Sequence, residues 1–215
     1  KKMYIVPVVP VDGQINNATV NDESGTARNN NQTLPVHTNS DGSIETTKDV
    51  ISQGSDGNYY AIPKGTPVVA ITTPDGQNNF QTAGTKIPGN GLIDNVHFDN
   101  NDNVSITGPV QSNIDTNTGK ITAAKTTVVT DPNNPKKAYQ VTAGTEITMT
   151  KDDNGNTEYH AAAQTLDQDK SIPAQVGNQG PIKDDAAHVH YNSDGTKDIV
   201  SDIPGFAGQN NLPND

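Results

Sequence analysis

Apolar residues in this chain recur at every second position in short runs, and each run stops at a cluster of Gly, Asn, Asp or Pro. The clearest runs occur twice. Residues 60 to 80 read YAIPKGTPVVAITTPDGQNNF and residues 139 to 159 read YQVTAGTEITMTKDDNGNTEY, superposing without a gap at an offset of 79 residues. Tyr60 falls on Tyr139, Ile62 on Val141, Val68 on Ile147, Gly76 on Gly155 and Phe80 on Tyr159. A period of two, broken by Asp75-Gly76 or Asn154-Gly155, predicts a β-hairpin with a tight turn in each copy.

A second phrase recurs around this hairpin. VHTNSDGS (36 to 43) returns as VHYNSDGT (189 to 196) and in weaker form as VHFDNNDN (96 to 103), each a strand end running into an Asx-rich turn. From hairpin tyrosine to Val-His the first unit spans 37 residues (Tyr60 to His97) and the second 51 (Tyr139 to His190), so the second unit is expected to carry about 14 extra residues. Those extras are placed in Glu158 to Asp169, EYHAAAQTLDQD, where consecutive helix formers predict one short helix.

Elsewhere the pattern is weaker. Tyr4 to Val11, with Pro7 and Pro10, predicts an edge or broken strand. Asp12 to Gln32 has few apolar anchors and is expected to be a loop or a loosely paired hairpin of poor order. The fold class expected is therefore all-β: two related β-sandwich-like, Ig-like domains in tandem, with at most one short helix. The first covers 1–112, with 1–35 an N-terminal strand and irregular segment; the second covers 113–215, with 203–215 a tail or linker.

Composition sharpens this picture. Val and Ile number 18 and 16 against four Leu, which favours strands, because β-branched side chains sit well on a pleated surface. Large apolar residues are scarce enough that only thin cores are expected. A formal charge of −11 argues against nucleic acid and anionic membranes as partners, since phosphate is repelled. No run approaches the ~18 apolar residues of a membrane helix. Cysteine is absent, so disulfides, thiol catalysis and thiolate metal sites are excluded.

Candidate chemistry is sparse. No nucleophile-and-base motif, phosphate loop or H-E-x-x-H is present, so no catalytic residue is assigned and no enzyme activity is expected. His188 and His190 stand two apart and share a strand face, the spacing of a paired imidazole site, but no carboxylate or third histidine is close in sequence. The repeated Val-His pattern explains itself as Val facing in and His facing water, so surface histidines are expected and no metal is assigned. The Asx-rich stretches at Asp99 to Asn103 (with Asp102), Asp152 to Asn156 and Asn192 to Gly195 offer oxygen ligands for a structural calcium ion, yet none fits the twelve-residue calcium loop and turn chemistry accounts for all three. No cofactor is expected. Among the tyrosines, Tyr59 falls on Ala138 and is free of the repeat, making it the expected exposed ring; Tyr191 is the second candidate for a ligand or interface.

The phrase VHYNSDGTKDIVSDIPGFAGQ (189 to 209) resembles the opening of the mucin-binding-type repeats of lactobacillus surface proteins: a V-x-Y strand, an Asp-Gly turn, then a Pro-Gly-aromatic element. The Cys-free composition with 26 Asn is similar to that of surface-layer and surface-layer-associated proteins of the same Gram-positive bacteria. The resemblance covers about 20 residues well. It implies an extracellular, cell-surface location and a structural or assembly role, with self-association or other surface proteins as partners. An adhesin repeat for host mucin or glycan is the alternative, and a phage or pilus fibre segment the third. The acidic balance departs from the basic wall-anchoring modules of such proteins, and nine aromatics are few for a mucin-binding repeat.

Overall fold

A computed structural model describes residues 12–175, 182–205 and 207–214. The N-terminal strand expected at Tyr4 to Val11 lies outside them. Within the described residues the chain is all-β and contains no helix.

The first eight strands are β1 (Asp12–Asn21), β2 (Ala27–Thr38), β3 (Ile44–Thr46), β4 (Val50–Gln53), β5 (Tyr59–Ile62), β6 (Pro67–Thr72), β7 (Asn78–Ala83) and β8 (Thr85–Ile87). They form a closed barrel in the order β1-β2-β3-β6-β7 and a three-stranded sheet β4-β5-β8. One core joins the two layers: Ala18, Val20, Leu34, Val36 and Val68 from the barrel, with Val50, Tyr60 and Ile62 from the sheet. That is the sandwich-like packing the alternation predicts.

The same order repeats. Strands β9 (Leu92–Asp99), β10 (Thr107–Asp115), β11 (Lys120–Ala123), β14 (Glu146–Lys151) and β15 (Thr157–Ala162) form a second closed barrel. β12 (Thr127–Thr130), β13 (Lys137–Val141) and β16 (Gln164–Asp167) form a second three-stranded sheet. A four-stranded sheet follows: β17 (Lys170–Ala174), β18 (Lys183–Tyr191), β19 (Thr196–Ser201) and β20 (Gln209–Pro213). β17, β18 and β19 take the places of β1, β2 and β3, so the described residues hold two eight-strand repeats and the first strands of a third.

The compact units do not coincide with the repeats. One comprises the described residues up to Ile93 together with Asn113–Ile121 and Thr148–Tyr159; the other comprises Asp94–Ser112, Thr122–Ile147 and the described residues from His160. The boundary expected at 112/113 falls inside β10.

Several expectations are corrected. Of the two forms expected for Asp12 to Gln32, a loop or a loosely paired hairpin, the structure shows the hairpin, and its pairing is long rather than loose, with Ile15 opposite Leu34 and Val20 opposite Asn29. Its alternation is hidden by a bulge between Ile15 and Ala18, where Asn17 takes φ 60°: one extra polar residue shifts the buried phase by one. The helix expected at Glu158 to Asp169 is β15 and β16. Tyr159 and Ala161, two apart, are buried, and Lys137 to Gln140 pair with Asp167 to Gln164, so ladder and core outweigh local helix propensity. The tail from Ile203 contains β20, which pairs with β19. The 14 extra residues have a topological cause. Val96-His97 lies on β9, the counterpart of β1, whereas Val189-His190 lies on β18, the counterpart of β2; the two phrases are not equivalent.

Candidate functional site

The histidines on β18 are the first place to look for chemistry. His188 and His190 do share a face, and the fold brings them the carboxylates their sequence neighbourhood lacks. Asp202, just past β19, lies 2.8 Å from His188 Nδ1; Asp169, between β16 and β17, lies 2.9 Å from His190 Nδ1 and 4.0 Å from His188 Nε2. Asp169 holds φ 60° to reach both. The same latch stands in the first repeat, where Asp12 at the start of β1 lies 2.8 Å from His37 Nδ1 on β2. A recurring carboxylate–imidazole pair across adjacent strands is an architectural feature first. Among the described residues no three His, Cys, Asp or Glu side chains are grouped as a metal site.

The other candidates are also engaged in packing or pairing. Asp99 faces His160 Nδ1 at 3.3 Å, and His160 stacks on His97 with centroids 4.8 Å apart. Asp102 accepts a bond from the Tyr139 hydroxyl at 3.4 Å. Tyr59 sits half-buried on β5, the middle strand of its sheet, opposite Gln53 and Ile87, and is not a freely projecting ring. Tyr191 is half-buried at the end of β18, its backbone clamped on both sides by Gln168, whose amide donates to the Tyr191 carbonyl and whose carbonyl accepts from the Tyr191 N–H.

Beside that clamp runs a groove of about 720 Å3 lined by Asn134, Lys136, Lys137, Asp167, Asp169 and Lys170. Lys137 pairs with Asp167 at 2.8 Å, which raises the lysine and lowers the carboxyl from their ordinary values. Three lysines in one groove of an acidic chain are not announced by any sequence run, because Lys170 arrives from a different strand than Lys136 and Lys137.

The most regular features are the hairpin turns. At Asn39–Ser43 the Asn39 N–H donates to Ser43 O (2.7 Å), the Gly42 N–H to Asn39 O (2.9 Å), the Asn39 amide to Ser43 Oγ (3.0 Å) and the Ser43 N–H to Asp41 Oδ1 (2.9 Å). Asn192–Thr196 repeats all four bonds at 2.8, 3.1, 3.0 and 2.9 Å. Hydroxyl and backbone donors from Ser43 and Thr196 hold Asp41 and Asp194 below the usual carboxylate range. The two turns differ in what touches them. A Cβ on Gly195 would lie 2.5 Å from the Thr126 carbonyl oxygen, and the Val128 N–H donates to Ser193 O at 3.3 Å; no described atom lies within 4 Å of the corresponding point on Gly42. The middle turn, closed by Gly119 N–H to Asp115 O at 2.8 Å, is seated like the last: a Gly119 Cβ would lie 2.4 Å from the Asp49 carbonyl oxygen. Thus each compact unit includes the turn that opens the next repeat, seated on the corner that leads into β4 or β12.

Comparison with protein-family models, with curated proteins and with solved structures finds no match.

Proposed function

We propose that this chain is a non-enzymatic structural module of an exported bacterial cell-surface protein, acting in assembly. The observation that supports the reading most is the serial seating of turns: a repeat whose body is covered by the next repeat's hairpin turn is built to be joined to its like. The histidines, carboxylates and tyrosines with the greatest chemical potential serve as latches and packing residues, and a negative surface keeps such modules soluble before assembly. Negative-stain imaging and sedimentation of the purified chain at rising concentration test this. Ordered or growing species are expected; a strict monomer at every concentration overturns the reading.

The lysine-containing groove beside Gln168 favours one alternative, an adhesin repeat that takes a host glycan, because it presents polar donors and acceptors around a concavity of sugar size. A glycan array separates the two: saturable binding by a monomer, weakened by Lys136→Ala, would move the assignment there.

A further inference from the structure

The repeats supply an internal comparison: a side chain that the shared sheet requires has a counterpart in the other copy, and one without a counterpart was not needed to build it. Almost every charge in the groove beside Gln168 lacks one. Tyr59 pairs with Ile87 as Ala138 pairs with Leu166, so Lys136, Lys137 and Asp167 stand where the first repeat has Gly57, Asn58 and Pro88. Lys170, one past the latch carboxylate Asp169, stands where β1 has Gly13, one past Asp12. Asp169 alone keeps its charge across the copies, and it is already engaged by His190 at 2.9 Å.

The charges do not cancel within the groove. Asp167 is shared between Lys137 at 2.8 Å and Lys170 at 4.0 Å, and Lys136 makes no ion pair among the described residues. Lys136 and Lys170 are exposed, whereas Gln168 is 3% exposed and fixed by bonds to Thr130 and to the Tyr191 backbone. Pro135 and the lysine stems add carbon walls, and Asn134 adds a polar amide. No described lining residue is aromatic. A neutral sugar, which relies on an aromatic platform, has little to hold it here, so attraction has to come from charge. A polyanion is opposed by Asp167, Asp169 and a formal charge of −11. Those limits leave a ligand of sugar size with one negative charge per ring.

We propose that this groove binds an acidic saccharide, a hexuronate unit, with its carboxylate on Lys136, its hydroxyls on Asn134 and Asp169, and a C–H face against Pro135 and the lysine stems. This rests on the glycan reading of the groove and names its ligand class. It is independent of assembly, because every lining residue belongs to one compact unit.

The test is a two-dimensional NMR titration of the full chain with α-1,4-digalacturonate, with neutral α-1,4-galactobiose and with dextran sulfate, for the wild type, Lys136→Gln and Lys86→Gln. Lys86 is exposed on β8 outside the groove, so Lys86→Gln controls for net charge. Digalacturonate is expected to shift the amide signals of Asn134, Lys136 and Lys170 saturably, and more weakly as salt rises. Lys136→Gln is expected to weaken that binding about fivefold with an unchanged melting temperature, while Lys86→Gln binds as the wild type does. Equal binding of galactobiose overturns the acidic ligand and leaves the glycan reading standing. Equal weakening in both variants, or tighter binding of dextran sulfate at the same signals, overturns it in favour of general charge attraction. No saturable shift with either disaccharide overturns this inference and the glycan reading together.

Discussion

At the residue scale the molecule depends on tyrosines buried against carboxylates. Tyr60, with its ring 1% exposed, donates its hydroxyl to Asp56, which also faces Arg28 at 3.6 Å; Arg28 in turn pairs with Asp22 at 2.8 Å. Burial first, then the Asp56 carboxylate, pushes Tyr60 up to about 12, while the tyrosine hydroxyl holds Asp56 below the usual carboxylate range. The signs give a pH window. A raised tyrosine contributes stability that is complete below its ordinary value near 10 and is lost as pH rises through about 12. Lowered carboxyls, Asp22, Asp41, Asp56, Asp75 and Asp194 among them, contribute stability that is complete above about 4 and is lost as pH falls below it. Tyr60→Phe should therefore cost about 1–2 kcal/mol at neutral pH. It should also flatten, without abolishing, the alkaline loss between pH 10 and 12, since Tyr139 and Tyr159 are raised as well, chiefly by burial. Urea titrations across pH measure this; an unchanged alkaline limb would show that the Tyr60 hydroxyl does not matter.

At the scale of elements, hairpins of one design do most of the work. The Thr73–Gln77 turn and the Asp152–Asn156 turn close with N–H to O bonds of 2.8 and 2.9 Å between their end residues, and in each only the glycine takes positive φ. This is a three-residue loop ending in a left-handed glycine rather than a two-residue turn with both positions left-handed. The Asp-Gly and Asn-Gly pairs were enough to locate these hairpins in the sequence, while the loop type followed from the strand register. Alanine substitutions separate turn strain from docking. Gly155→Ala meets open space at φ 80°, so its cost is backbone strain, about 1–2 kcal/mol. Gly195→Ala bears the same strain and also drives Cβ to 2.5 Å from the Thr126 carbonyl oxygen, so it should cost about 1–3 kcal/mol more. Equal losses in chemical denaturation would contradict the close approach.

At the scale of the whole molecule, repeat and unit are out of phase. β10, β11, β14 and β15 each carry residues of both compact units, so neither unit is an uninterrupted piece of chain. Such interleaving predicts one cooperative calorimetric transition with equal calorimetric and van't Hoff enthalpies. Two resolved transitions would mean that the units fold independently in spite of it. Interleaving also explains why a boundary drawn from sequence at 112/113 lands inside a strand: the repeat period marks where the chain reuses its pattern, and compactness depends on what that pattern packs against.

The sequence by itself determined the all-β class and the two hairpins at their 79-residue offset, because alternation and turn chemistry act over a few residues and leave a local trace. The tertiary structure alone decided the rest. The bulge at Asn17 hid a strand from any reading of period two, and the ladder between β13 and β16 overrode a run of helix formers. The partners of His188 and His190 arrive from Asp202 and Asp169, 14 and 21 residues distant. The difference between Gly42 and Gly195, two glycines in nearly the same five residues with the same φ, lies wholly in a carbonyl 69 positions before the second of them, and only folding brings that oxygen within reach.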